Sequence, residues 1–111
     1  MEISHSSDMI VADPSAKFGL TEVKVGVIAR AGGAIRVPRQ IPRKIAVEKL
    51  MTSRHMAAGG AARWGLVNRI SAPGEALAEA RRLAAEIASV SPPQFASRCR
   101  SSMRAIRNPT T

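Results

Sequence analysis

The stretch from Ala16 to Arg36 constrains the fold most, because it places turn-forming glycines and many apolar side chains around one acid. Glu22 lies between Gly19 and Gly26, and the stretch ends with the Gly32–Gly33 pair. A glycine pair lets the backbone approach another group closely, or lets a helix begin against a neighbour. A carboxylate in such apolar sequence is either an exposed loop acid or a group with a chemical task. The stretch alone leaves both interpretations open.

Short strands are predicted mainly in the first part of the chain. Residues 9–12 form an apolar run between polar residues, which is typical of a buried strand, and a turn follows at Asp13-Pro14-Ser15. Lys17 to Leu20 is predicted to be a second short strand, and Leu66 to Ile70 a further one. These strands are too few to close a sheet.

Two helices are predicted after the glycine pair. Gly33 to Val37 has a helical pattern, which Pro38 interrupts or bends. Pro42 suits the first turn of a second helix that runs to about Thr52. Four apolar residues at helical spacing are predicted to form the core-facing side of that second helix: Ala46, Val47, Leu50 and Met51.

Three more helices are predicted towards the end of the sequence. Ala57 to Trp64 is a short helix that Gly65 closes as a C-terminal cap. Glu75 to Val90 has the clearest helical period, and Gln94 to Ile106 is the last helix. The apolar stripe of the Glu75 to Val90 helix consists of Leu77, Ala80, Leu83, Ala84 and Ile87.

Composition narrows the classes of function. The chain has 111 residues and a net charge of +9, which invites a nucleic-acid interpretation. The basic residues are spread along the chain without interleaved aromatic residues, so we expect no specific nucleic-acid partner. No apolar run could span a bilayer, and a single cysteine fits a reducing cytosol. We therefore expect a cytoplasmic protein with no membrane partner, and no metal site, since no cluster has metal-ligand spacing.

Several motifs resemble the enoyl-CoA hydratase/isomerase (crotonase) superfamily in both order and spacing. Ala16 to Gly26 reads AKFGLTEVKVG, where the family has A-x-F-G-x-P-E-V-x-x-G. Gly32–Gly33 follows as the family's glycine pair, and Arg36 to Arg39 reads RVPR in place of R-L-P-R. Ala61 to Arg69 reads AARWGLVNR, similar to the family's A-x-x-x-G-L-V-N segment. The matches extend from about Glu2 to about Pro92.

The resemblance implies an α/β fold that is the C-terminal part of a crotonase-like spiral of strand-strand-helix turns, with few short strands followed by several helices. It implies an end of the spiral core over residues 1–73 and a helical region over residues 74–111, whose helices serve assembly in the family. We expect a chain truncated at both ends relative to the family. The family's oxyanion-hole segments would then lie before Met1, so we expect the isolated chain to be inactive.

The resemblance also implies candidate catalytic residues. Glu22 matches the glutamate of the family's P-E-V segment. Glu2 stands six residues before Asp8, as the family's second glutamate does. Two carboxyl groups can share the proton transfers of hydration. Three residues are expected to bind substrate: Gly32, Gly33 and Arg30.

The implied function is the reversible addition of water to a 2-enoyl-CoA, with a leaning towards the carnitinyl-CoA dehydratase kind. Such an enzyme would be a lyase of fatty acid metabolism that acts on an acyl-CoA substrate and needs no cofactor. Family members form homo-oligomers, trimers or hexamers. The alternative is a non-catalytic remnant that serves only as an assembly or interaction fragment.

Overall fold

The computed structural model describes residues 4, 6–21, 24, 33–90, 94, 97–98 and 100. Residues up to Glu79 form one compact unit, and residues from Ala80 onward form a second. The predicted boundary between residues 73 and 74 stays a prediction. The predicted helix from Gln94 to Ile106 lies mostly outside the described residues.

Two strands form a parallel pair that joins the beginning and the end of the first unit. Strand β1 (Val11–Ala12) pairs with the last strand, Arg69–Ile70, with Val11 opposite Arg69. The N–H of Asn68 donates to the Ile10 carbonyl at 2.8 Å, and the Asn68 side-chain oxygen accepts from the Ile10 N–H at 2.8 Å. The strand predicted from residue 66 is thus shorter, because the residues before Asn68 complete a helix cap.

A second pair of strands is antiparallel. Strand β2 (Lys17–Phe18) pairs with β3 (Met56–Ala57), with Phe18 opposite Met56, and Arg69–Ile70 is therefore β4. Both facing residues are buried, so one face of this pair contributes to the core. The predicted strand at Lys17 is confirmed over its first two residues.

Helices α1 (Gly33–Gln40) and α2 (Arg43–Thr52) follow one another closely and contact each other. Pro38 does not interrupt α1. It cannot donate a backbone hydrogen bond, yet the helix continues because Val37 and Ile41, on either side of it, are both buried. The N–H of Ile41 donates to the Val37 carbonyl at 3.1 Å and extends the turn beyond Pro38.

The predicted apolar face of α2 is half wrong. Ala46 is fully buried and Leu50 packs against the core, whereas Val47 and Met51 are exposed. Met51 was expected to fill the core, but 71% of it is accessible. The reason is rotational: Ile45 also packs against the core, so the buried side of α2 is turned away from Val47 and Met51.

Helix α3 (Ala58–Arg63) ends as the sequence predicts, at Gly65, whose φ is +81°. The Gly65 N–H donates to the Ala62 carbonyl at 3.1 Å, and the Leu66 N–H donates to the Ala61 carbonyl at 2.8 Å. These two bonds constitute a Schellman cap, in which glycine adopts a conformation that other residues avoid. Ala61 and Leu66 are both buried, which provides the apolar contact of that motif.

The core of the described residues draws on every helix and strand except β4 and the helix that follows it, α4 (Ala76–Ala88). Helix α4 has no buried residue, and Leu77 of the predicted stripe is 66% exposed. The periodic apolar pattern therefore predicted the helix correctly, while its apolar side is not buried. The buried apolar residues are Ala12, Phe18, Leu20, Val37, Ile41, Ala46, Met56, Ala58, Ala61, Leu66 and Val67.

Ser53, the C-cap of α2, occupies an unfavourable position. Its φ of 52° and ψ of 24° lie in the left-handed region, and the residue is fully buried. Its hydroxyl has no hydrogen-bond partner among the described residues. The left-handed conformation costs a residue with a Cβ about 1–2 kcal/mol, and an unpaired buried hydroxyl adds to that cost.

We expect Ser53→Gly to raise the free energy of unfolding by about 1 kcal/mol, because glycine adopts positive φ without the Cβ clash and brings no hydroxyl. Urea denaturation of the full chain measures this change. Ser53→Ala removes only the hydroxyl and should gain less. A gain for Ser53→Ala equal to or greater than that of Ser53→Gly would contradict the role of backbone strain.

Asp13, which directly follows β1, is hydrogen-bonded to the loop that precedes α4. One carboxylate oxygen accepts from the Ser15 hydroxyl at 2.6 Å and from the Ser15 N–H at 2.9 Å, and the other accepts from the Gly74 N–H at 2.6 Å. These donors favour the charged form, so the Ser15 hydroxyl first, then the Ser15 and Gly74 amides, lower the pKa of Asp13 from 3.8.

We expect Asp13→Asn to destabilise the chain at neutral pH, because the amide cannot reproduce three hydrogen bonds to a carboxylate. Since the folded-state pKa is lowered, the stabilisation is present above the unfolded-state value and is lost as pH falls through the folded-state value. The difference in unfolding free energy between the unchanged chain and Asp13→Asn should therefore shrink below about pH 3.8. Denaturation measured at several pH values tests this. Asp8→Asn, which removes a carboxylate that makes no hydrogen bond among the described residues, should change the unfolding midpoint little at pH 7.

Candidate active site

Most of the predicted site residues lie outside the part of the chain that the structure describes. These are Glu2, Glu22, Arg30 and Gly32. Gly33 is described and is the first residue of α1. The segments that adjoin these residues are described, and they carry the structural observations that follow.

A side-chain hydrogen bond joins two of the adjoining segments. The Nη1 of Arg36 donates to the Oγ of Ser6 at 2.7 Å. Arg36 lies one turn into the helix that begins at Gly33, and Ser6 follows the predicted acid Glu2 by four residues. The segment next to Glu2 is thus held against the helix that follows the glycine pair.

A turn marks the segment next to Glu22. The Lys24 N–H donates to the Thr21 carbonyl at 3.1 Å, which closes a turn across four positions. The turn follows Leu20, which is buried. Thr21 itself is exposed.

The first unit also contains an apolar crevice. Its lining comes from β2 and its following residues, from α1 and α2, and from β3 and the α3 cap: Phe18, Gly19, Leu20, Val37, Ile41, Lys49, Leu50, Met56 and Leu66. Its volume is only about 10 Å³, which is near the minimum that one water molecule needs. The crevice is therefore too narrow for an acyl chain.

Lys49 is the one charged residue of the lining, and the sequence did not indicate it as a crevice residue. It is half-buried on α2, where its alkyl chain can cover apolar surface while the ammonium group stays in water. The sequence does contain a signal for this position. Lys49 follows Ile45 by four residues and precedes Leu50, and both of these apolar residues lie on the buried side of α2.

His55 and Gly19 are in close contact. A Cβ on Gly19 would lie 2.6 Å from Cδ2 of His55, so the imidazole occupies the space that a side chain at position 19 would need. His55 is exposed. Its contact with Gly19 was not predicted. The contact explains a glycine at position 19 by the lack of space for a side chain, and not by an unusual backbone conformation.

Two classes of site are not found in the described part of the chain. No three His, Cys, Asp or Glu residues among those residues come together as metal ligands would. The same residues include no helix with the length and apolar character to cross a membrane.

The family relationship follows from comparison with known proteins. The model of the enoyl-CoA hydratase/isomerase family matches residues 1–111. The chain belongs to this family. The predicted relationship to the crotonase superfamily is thereby confirmed, and so is the α/β crotonase-like fold class.

Individual relatives have similar sequences and backbones. The carnitinyl-CoA dehydratase of Proteus mirabilis (strain HI4320) is 40% identical over 91 residues, which are 82% of this chain and 35% of the relative. The structure of a carnitinyl-CoA dehydratase from Mycobacterium avium 104 is 40% identical with a TM-score of 0.86, over 90% of this chain and 39% of that one. The structure of an enoyl-CoA hydratase from Mycobacterium tuberculosis H37Rv is 36% identical with a TM-score of 0.88. The match covers 93% of this chain and 41% of that one. The chain thus spans about a third of the length of the curated relatives that it matches.

We expect Gly19→Ala to lower the free energy of unfolding by about 1 kcal/mol, the low end of the cost of overpacking, because the exposed His55 ring can move aside. The double variant Gly19→Ala/His55→Ala should recover most of that loss. A double-mutant cycle by urea denaturation gives the coupling between the two positions. Additive effects would show that the clash is relieved elsewhere.

Proposed function

We propose that this family member carries the acid/base residues of an enoyl-CoA hydratase, which adds water reversibly to a 2-enoyl-CoA, in the carnitinyl-CoA dehydratase-like form. The observation that carries the proposal is the 2.7 Å hydrogen bond between Arg36 and Ser6. It holds the segment next to Glu2 against the helix that begins at Gly33. The relatives named carnitinyl-CoA dehydratase and enoyl-CoA hydratase support the same reaction class.

Glu22 and Glu2 are the proposed acid/base pair. One carboxylate removes a proton from water as the water oxygen bonds to C3 of the enoyl group. The other carboxyl group gives a proton to C2, so the C2–C3 double bond becomes a single bond and the elements of water are added. Dehydration is the reverse sequence. Charge that develops on the thioester oxygen requires hydrogen-bond donors, which backbone N–H groups typically supply.

Gly32, Gly33 and Arg30 are the proposed substrate-binding residues. Glycines without side chains let the backbone approach a thioester closely, and an arginine suits the phosphate groups of coenzyme A. The family chemistry needs no cofactor besides the CoA thioester itself. We further propose a cytoplasmic homo-oligomer, as expected from the sequence.

A second candidate is a non-catalytic fragment that serves assembly. The observation that favours it is the exposure of α4, which has no buried residue although its sequence has a periodic apolar stripe. Leu77 of that stripe is 66% exposed. Under this alternative, the helix would pack against a relative while Glu22 and Glu2 would have no chemical role.

The test uses a chimera in which the 91 matching residues of this chain replace their counterparts in the Proteus mirabilis carnitinyl-CoA dehydratase. Loss of enoyl absorbance with crotonyl-CoA and with crotobetainyl-CoA measures hydration. We expect turnover, and we expect Glu22→Gln to lower kcat by about 10²- to 10⁴-fold, the range for a general acid/base residue. Glu2→Gln should have an effect in the same range.

Glu48→Gln is the matched control, because Glu48 is an exposed acid of α2 outside the proposed site. It should leave kcat unchanged. A chimera that folds and assembles yet shows no turnover would favour the assembly fragment. Turnover that Glu22→Gln leaves intact would remove Glu22 from the mechanism.

A further inference from the structure

Arg36 connects the helix after the glycine pair to the segment near the start of the chain. Its Nη1 donates to the Oγ of Ser6 at 2.7 Å. The guanidinium group is always charged, and hydrogen bonds from a charged donor are stronger than those between neutral groups. The two residues are 30 positions apart in the sequence, so the bond joins two segments that local contacts do not bring together.

The arginine is the firmly anchored partner of this bond. Arg36 lies in α1, about 4.5 Å along the helix axis from Gly33. The next residue, Val37, is buried in the core, and α1 contacts α2. The backbone that carries the Arg36 side chain is therefore fixed by packing in which the segment near the start of the chain takes no part.

The segment that contains Ser6 has little apolar surface with which to pack. Residues 4–8 read Ser-His-Ser-Ser-Asp and include no aliphatic side chain. The N–H and the hydroxyl of Ser7 both donate to the Ser4 carbonyl, at 3.1 and 2.6 Å, and they close one turn. Polar contacts therefore determine where this turn lies, and the bond from Arg36 is one of them.

The proposed acid Glu2 precedes Ser6 by four residues. Four residues of extended chain span at most about 14 Å, so a fixed Ser6 limits the positions that Glu2 can take. We propose that Arg36 is a positioning residue, which acts through Ser6 to place Glu2 for proton transfer. The inference rests on the proposed hydratase function, because it assigns to Arg36 an effect on the acid/base step.

This positioning concerns one of the two proposed acids. The segment before Glu22 is held independently of Arg36, because Phe18 and Leu20 are buried in the core. Loss of the arginine should therefore displace Glu2 and leave the other acid in place. A misplaced catalytic group slows the chemical step while substrate binding is largely retained.

The test measures kcat and KM for crotonyl-CoA in the chimera that carries the matching residues of this chain. We expect Arg36→Ala to lower kcat about tenfold, as for the loss of a hydrogen bond to a charged group, and to change KM less than about twofold. Ser6→Ala should have the same effect. The double variant should lose no more than either single variant, because both remove one bond. Arg36→Lys and Ser6→Thr keep the donor or the acceptor and should recover part of the loss.

Combination with the acid variants separates positioning from a general structural role. In the Glu2→Gln background, Arg36→Ala should cause no further loss of kcat, because the group that it positions has already lost its proton-transfer role. In the Glu22→Gln background, it should still cause a loss of about tenfold. Arg39→Ala is the matched control, because Arg39 is an exposed arginine of the same helix. It should leave kcat unchanged.

Amide hydrogen exchange of the full chain provides a measurement that needs no activity. The Ser7 N–H, which donates to the Ser4 carbonyl, should exchange about tenfold faster in Arg36→Ala and in Ser6→Ala than in the unchanged chain. Arg39→Ala should leave its exchange rate unchanged. Circular dichroism and the urea midpoint confirm that each variant is folded.

Failure of this inference and failure of the proposed function give different results. Turnover that Glu2→Gln lowers and Arg36→Ala leaves intact would overturn the inference alone. So would an equal loss from Arg36→Ala with and without Glu2→Gln, or an unchanged exchange rate of the Ser7 N–H. A chimera without turnover, or turnover that Glu2→Gln leaves intact, would overturn the proposed function and this inference with it.

Discussion

The cap of α3 is the interaction on which the rest of the first unit depends. Ala61 is fully buried, and its carbonyl accepts hydrogen bonds from the N–H groups of both Leu66 and Val67, at 2.8 and 3.2 Å. These bonds require the positive φ of Gly65. The cap turns Leu66 and Val67 into the core and delivers the next residues alongside β1. Without it, the parallel pair would lose its second strand and the crevice one wall.

Local signals in the sequence predicted the positions of most helices and strands. Pro42 and Gly65 mark the start of α2 and the end of α3 because their backbone preferences act within a few residues. The exposure of Val47 and Met51 could not be predicted in the same way. Periodicity identifies apolar residues that share a face, but which side of a helix is covered depends on partners distant in the sequence. The unburied stripe of α4 has the same explanation.

The candidate site was predicted from motifs and could be checked only through its neighbours. Gly33 begins a helix, as the sequence predicts. The hydrogen bond from Arg36 to Ser6 was not predictable, because it joins two exposed polar side chains 30 positions apart. The contact between His55 and Gly19 was missed for a similar reason. Sequence motifs record which residue types are present, whereas these contacts depend on the path of the backbone between them.

The parallel pairing of β1 with β4 has a consequence for the order of folding. It joins Ile10 to Asn68 across 58 positions, and Asp13 to Gly74 across 61. Closing so long a loop carries an entropic cost that local contacts do not. The helical turns of α2 and α3 need only contacts between residues close in sequence. Once formed, these helices shorten the flexible chain between β1 and β4. We therefore expect the contacts between the two ends of this unit to form late in folding, and the helices between them to form early.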